Sequence, residues 1–385
     1  MLKDIDILVV GAGLSGAVAA RVLADAGKRV LIVEQRNHIG GNCYDEIDEA
    51  GILVHRYGPH LFHTDNADAW EFMERFTPMD VYEHRVKADI NGKKVSLPFS
   101  LETLYEIFPP NTASIHEDAL LRNFEYGKKV TAGELLSHEE PDVRSVGQFV
   151  YDHIFKNYTI KQWDIDIEEL DAGVSARVPI YMNRDTRYFT DRYQGVPRYG
   201  YTKFFNNLLD HDNIHIMLKT PAKEVFAMND SEMYFLGDKF EGDVIYTGSL
   251  DEIFDYDEEM LPYRSVELKF ETYPTESYQE AATVNYPNNY AFTRITEFRK
   301  IHPYTDSKST TILKEYPAAF KLGVNERYYP ITNKDTRYIY ENYYHRAHGV
   351  YNFYVLGRLG EYKYYDMDDV IAESLKLARR LVERP

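Results

Sequence analysis

The chain has 385 residues, of which 62 are acidic and 44 basic, giving a formal charge of −18. At roughly 150 residues per domain this is two or three domains with a real core, and 44% hydrophobic with 28% charged residues excludes a disordered chain. The acidic balance speaks against nucleic acid and anionic membrane as partners, since no basic field is present to hold either.

The first 34 residues predict a βαβ unit. Ile5–Val10 is a nearly continuous apolar run, as in a parallel strand covered on both faces. Ile7–Ala20 has the small, apolar texture of a signal peptide, but Asp4, Asp6 and three spaced glycines fit a buried strand and turn better. Gly11-x-Gly13-x-x-Gly16, with Ser15 inside it, turns the chain into a helix from Ala17 to Ala26, and Arg29–Glu34 is the next strand. In this context the glycines serve a tight turn, close approach of a pyrophosphate and helix–strand packing, and Glu34 would accept from two ribose hydroxyls. After Gln35 comes a second glycine pair, Gly40-Gly41, followed by Asn42. That extension resembles the FAD-containing glutathione-reductase and amine-oxidase superfamily, which favours FAD over NAD. Cys43 is the one cysteine, so neither a disulfide nor a cysteine zinc site is expected, no metal is expected, and a reducing cytoplasm is the natural setting.

Further on, Val81–Leu97 alternates like antiparallel strands with a hairpin at Asn91-Gly92. Apolar residues at helical spacing in Leu101–Phe108, Glu117–Phe124, Ala132–Leu136 and Val146–Tyr158 predict a helical insertion. Asn213–Met217 and Asp243–Thr247 read as short strands rejoining the first sheet, and Tyr263–Ile331 as more antiparallel strands. Tyr351–Gly357 reads as a late apolar strand, followed by an amphipathic helix from Asp368 to Arg380. No run approaches the ~20 apolar residues of a membrane span. The expected fold is α/β: a Rossmann-like FAD-binding domain (1–80, 200–250 and 350–385) interlocked with a helical-bundle insertion (100–190) and an antiparallel β-sheet domain (81–99 and 251–349). The 33 tyrosines, against 2 tryptophans and 20 phenylalanines, suit clefts with aromatic, hydrogen-bonding walls.

Six blocks then carry a resemblance. They are Tyr57-Gly58-Pro59-His60-Leu61-Phe62-His63-Thr64, Phe155-x-x-Tyr158-Thr159-x-Lys161-Gln162-Trp163, Arg187-Tyr188-Phe189, Tyr193-Gln194-Gly195-x-Pro197, Phe292-Thr293-Arg294-Ile295-Thr296-Glu297, and Gly357-Arg358-Leu359-Gly360 through Asp368. In this order they resemble the bacterial UDP-galactopyranose mutase family over nearly the whole chain. The resemblance implies an isomerase that interconverts UDP-galactopyranose and UDP-galactofuranose for surface polysaccharides, uses reduced FAD as a nucleophile, and works as a homodimer. It implies that Tyr158, Thr159 and Trp163 hold the uracil end. Arg177, on a mobile lid in the helical domain, and Arg294 clamp the diphosphate. Tyr188, Tyr329 and Tyr364 contact phosphate and sugar, and Asn285 the uridine. His60 and Leu61 lie on the flavin, with Arg358, Tyr365, Asp366, Met367 and Asp368 leading the last helix toward it, alongside Gly11, Gly13, Ser15, Gly16, Glu34, Gln35, Gly41 and Asn42. Arg177, Arg294 and His60 are the expected catalytic residues. His84 and Ile154 depart from the Asn and Phe of some members. An FAD-dependent amine oxidase or dehydrogenase of the same superfamily is the alternative enzyme, and a flavin-free relative such as a GDP dissociation inhibitor the alternative binding protein.

Overall fold

The computed structural model of the chain describes residues 5–163, 179–229 and 231–384. The apolar runs at the N-terminus form the centre of a five-stranded sheet in the order Ile214–Met217, Val30–Val33, Ile7–Val10, Asp243–Tyr246, Phe353–Val355. Every pair in it is parallel. All four residues of Ile7–Val10 and of Val30–Val33 are buried, which is why these strands read as unbroken apolar runs. The helix Leu14–Asp25 buries small residues, among them Ala17, Val18 and Ala20, and packs against the closing helix Met367–Val382. That last helix buries Ile371, Leu375, Ala378 and Leu381, spaced three or four apart, and leaves a charged outer face.

A second sheet of seven strands runs Tyr329–Pro330, Tyr263–Tyr273, Thr310–Ala319, Arg294–Glu297, Thr283–Asn285, Val86–Ile90, Lys93–Leu97. It is antiparallel throughout except where Thr283–Asn285 meets Val86–Ile90 in parallel. Asn91 (φ 53°) and Gly92 (φ 87°) turn the final hairpin, both in the left-handed region that a tight hairpin turn demands. The strand expected from Val81 onward divides in two. Met79–Val81 pairs with Tyr193–Pro197 in a separate small sheet, and only Val86–Leu97 enters the large one. Val81 is 84% exposed and the polar run Glu83-His84-Arg85 follows it, so no apolar face carries the strand through.

Among the described residues the insertion holds helices Leu101–Ile107, Pro110–Asn123, Ala132–Leu136, Pro141–Val150 and Lys156–Trp163, with a π-helical turn at Tyr151–Phe155 before Lys156–Trp163. Prolines stand in the first turn of two of them, where no N–H is needed, and Thr131 with Glu134 closes a capping box on a third. Its core, including Leu104, Leu120, Leu135 and Val146, continues into Val86, Ala88 and Val95 of the large sheet. Helix Lys334–His348 is absent from the sequence reading because its tyrosines stand on both faces: Tyr343 is fully buried and Tyr338 67% exposed. Tyr343 and Ala347 pack with Leu8, Val10 and Val244 of the parallel sheet.

Asp45 links the N-terminal segment to the helix Tyr201–Leu209. It is 2% exposed and accepts from the N–H groups of Tyr201 (2.5 Å) and Thr202 (2.8 Å), capping that helix from a distant part of the chain. Asp45→Ala is expected to destabilise the fold by about 2 kcal/mol by stranding both donors. A thermal melt reads this directly, and an unchanged midpoint would remove the cap from the account.

Candidate functional site

The glycine turn, the second glycine pair and the face of the large sheet meet around one cavity of about 530 Å³. At its first end Gly16 packs so close to the preceding strand that a Cβ there would lie 2.0 Å from the Gly11 carbonyl oxygen. Gly41 (φ 54°) faces Gly13, and a Cβ on it would come within 2.9 Å of Gly13 Cα. The two loops therefore form a cradle that side chains would fill. Glu34, 6% exposed, accepts from Ala12 N–H on Oε2 and from Arg36 N–H on Oε1, each at 2.8 Å. Each oxygen keeps a lone pair, and Glu34 lines the cavity with Gln35, Gly41 and Asn42. A dinucleotide fits this donor and acceptor set.

The other end is built by register. Asn285, Arg294 and Glu315 stand directly opposite one another on three adjacent strands, so they share one face and all reach the cavity. Arg294 Nε donates to Glu315 Oε1 at 2.6 Å, with side chains 30% and 6% exposed. Burial works against the Arg294 charge, but Glu315 beside it more than compensates and holds the guanidinium protonated well above its ordinary range. Tyr329 and Tyr364 stack at 6.1 Å, and the Arg358 guanidinium lies 5.7 Å above the Tyr329 ring. Burial raises the Tyr158 hydroxyl pKa, partly offset by Arg294, and Tyr188, Glu315 and Tyr329 stand within electrostatic reach.

His60 lies on the wall between the two ends. Its Nδ1 is 2.8 Å from the Gly58 carbonyl, so this nitrogen carries the proton and Nε2 is bare. Burial, with Arg358 and Arg294 adding to it, pushes its pKa down to about 4 against the pull of the Gly58 carbonyl. His84 is pushed down to about 3 by burial, Arg294 and His63, and His302 to about 4 by burial, with Asp80 opposing. An unfolded chain takes up these protons near pH 6.5, so stability is full above that pH and falls as pH drops toward 4. At pH 5 the cost is about 2 kcal/mol for each of His84 and His302. The melting temperature should therefore drop less between pH 7.5 and 5 in His84→Gln than in the parent; equal drops would overturn this.

Of the residues singled out in the sequence, Gly11, Gly13, Ser15 and Leu61 also line the cavity, as do Tyr188, Tyr365, Asp366 and Met367. Gly16 and Asp368 stand behind it: Asp368 Oδ2 accepts from Thr64 Oγ1 at 2.8 Å and ties the last helix to a neighbouring strand. Thr159 is buried, and neither it nor Tyr158 lines the cavity. Arg177 and the Trp163 side chain lie outside the described residues. Of the two departures, His84 lines the cavity, whereas Ile154 sits in the π-helical turn and packs into the helical core. Sequence reasoning missed Arg36, which pairs with Glu326 at 2.6 Å and lies 4.2 Å from the Tyr57 ring centre. It missed Glu315, which meets Arg294 only through the strand register and has no signal in the sequence. It also missed the His63–Phe189 stack (3.6 Å), pinned by Asp191. No group of three or more potential metal ligands occurs among the described residues, nor any helix long and apolar enough to cross a membrane.

Comparison with known proteins agrees with this geometry. A model described as an NAD(P)-binding Rossmann-like domain matches residues 9–76, and one described as UDP-galactopyranose mutase matches residues 153–364. A Klebsiella pneumoniae protein named as a probable UDP-galactopyranose mutase is 38% identical over 98% of this chain and 94% of its own. A dTDP-fucopyranose mutase of Escherichia coli is 36% identical over 98% of both chains. The crystal structure of a reduced UDP-galactopyranose mutase shares the fold, with a TM-score of 0.72 over 98% of this chain and 94% of that one at 15% identity. In sequence, a putative L-amino-acid oxidase of Bacillus subtilis aligns over 24% of this chain. With a dinucleotide cradle and a cationic, tyrosine-walled sheet face in one cavity, a family model over more than half of the chain and full-length mutase relatives, the chain belongs to the UDP-galactopyranose mutase family.

Proposed function

We propose that the protein interconverts UDP-galactopyranose and UDP-galactofuranose with FAD in its reduced state, as a cytoplasmic homodimer supplying galactofuranose for surface polysaccharides. The observation that carries this is the continuity of the cavity, which joins the glycine cradle to Arg294 without a break. FAD is favoured over NAD by the second glycine pair, whose Gly41 stands against Gly13. Bound and reduced, FAD would supply the nucleophile toward the anomeric carbon of the sugar. The chain's own residues do the rest. Arg294 offers its guanidinium donors to the diphosphate, the Glu315 carboxylate orients it, and Arg358 serves the cofactor side. Tyr188, Tyr329 and Tyr364 present hydroxyls and ring faces to sugar and phosphate, and Arg177 would add a second clamp. Bare Nε2 of His60 is an acceptor on the cofactor side.

A second reading has one observation in its favour. The dTDP-fucopyranose mutase, at 36%, is as similar as the uridine-linked relatives at 33–38%, so the same ring contraction on a deoxythymidine diphosphate sugar fits the same machinery. The test is chromatography of UDP-galactofuranose and dTDP-fucofuranose after incubation with dithionite-reduced enzyme. Conversion of the UDP-sugar without consumption of reductant is expected, with negligible turnover by oxidised enzyme. Turnover of the dTDP-sugar alone would move the assignment to the second reading, and equal rates in both redox states would overturn the role given to reduced FAD.

A further inference from the structure

Behind the His60 segment, outside the cavity, lies a buried pair of histidines that the reaction does not use. His55, 0% exposed, ends the strand Leu53–His55 and is wedged between the rings of Tyr201 (5.6 Å) and Phe298 (5.5 Å). Its Nδ1 accepts the backbone N–H of His60 at 2.9 Å, so that nitrogen holds a lone pair. Its Nε2 faces Nε2 of His302 at 2.9 Å, and His302 follows the 3-10 turn Phe298–Lys300. Two facing imidazole nitrogens need one hydrogen between them. With Nδ1 of His55 already accepting, that hydrogen sits on His55 Nε2, and His302 receives it and carries its own on Nδ1. Any other arrangement of two neutral rings puts two lone pairs, or two hydrogens, face to face.

We propose that His55 and His302 are positioning residues: one locked tautomer of this pair fixes the backbone of His60, and with it the bare Nε2 on the cavity wall. Burial keeps both rings uncharged, holding His302 near 4 and His55 well below its usual range, so the lock stays closed at neutral pH. His302 feels Asp80, which is itself engaged by Arg198, while His60 faces Arg358 and Arg294, so no cation is favoured anywhere along the chain of contacts. The kinetic consequence rests on the mutase reading; the tautomers do not.

The test exploits side chains that mimic one ring nitrogen each. Asn at position 55 places an amide oxygen where Nδ1 stood and keeps the His60 contact; Gln reaches His302 but offers nothing to His60. His55→Asn and His302→Gln should retain flavin and turn over close to the parent rate. His55→Gln and His302→Leu should retain flavin with little change in KM while kcat falls by up to about 10²-fold. Long-range ¹⁵N spectra of the histidine-labelled holoenzyme at pH 7 should show His55 neutral with its hydrogen on Nε2 and His302 neutral with its hydrogen on Nδ1. His55 protonated on Nδ1, or equal kcat in His55→Asn and His55→Gln, would overturn the proposal. A parent enzyme that turns over no nucleotide sugar would sink the mutase reading and leave the spectra to decide the tautomer lock.

Discussion

Arg294→Ala is expected to leave the cofactor in place and lower kcat by about 10²–10³-fold. The guanidinium is the cation that the large sheet itself delivers to the cavity, set by its register against Asn285 and Glu315. Charge accumulates on a diphosphate as it departs, so a fixed forked donor is worth more in the transition state than with bound substrate, and its loss shows in kcat before KM. Alanine also strands Glu315, a carboxylate 6% exposed, which by itself costs stability. The double variant Arg294→Ala/Glu315→Gln separates the two effects: it should recover the melting temperature without recovering kcat. Arg294→Lys should fall between, because a point charge keeps the attraction and loses the fork. Normal turnover by all three would place the diphosphate elsewhere.

The parts of the molecule legible in the sequence are those where local pattern and buried environment agree. Ile7–Val10, Val30–Val33 and the glycine turn announce themselves because a strand covered on both faces must be apolar and a phosphate cradle must lack side chains. The Met367–Val382 helix is legible from its spacing alone. What escaped was set by long-range contact. Glu315 gains its meaning only from standing opposite Arg294 across a strand pair, and no spacing along the chain encodes that. The hydrogen bond from His60 N–H to His55 spans five residues, but its partner His302 lies 247 positions from His55, and a solitary histidine in a sequence reads as nothing in particular. Helix Lys334–His348 was hidden for a different reason: tyrosine serves equally on its buried and exposed faces, so composition erased the periodicity.

Glu34→Arg is expected to yield protein that emerges from gel filtration almost free of flavin. Two separate losses combine. The cavity loses the acceptor that would take the ribose hydroxyls and gains a cation beside Arg36, which already stands there paired with Glu326. The turn loses the carboxylate that takes the N–H groups of Ala12 and Arg36, stranding two donors at about 1–3 kcal/mol each. Glu34→Gln tells these apart. Its amide keeps one oxygen, so one of the two N–H contacts survives, no charge is introduced, and a ribose hydroxyl still finds a partner. Flavin affinity should therefore fall in the order parent, Glu34→Gln, Glu34→Arg, measured by titrating apoprotein and following flavin fluorescence. Melting curves of the same apoproteins report the turn alone, since no cofactor is there to stabilise it. If Glu34→Arg lost stability as apoprotein but bound flavin like the parent, Glu34 would be a brace for the glycine turn and the ribose would sit elsewhere. Parallel loss of both, with Glu34→Gln intermediate, is what a carboxylate serving turn and ribose together requires.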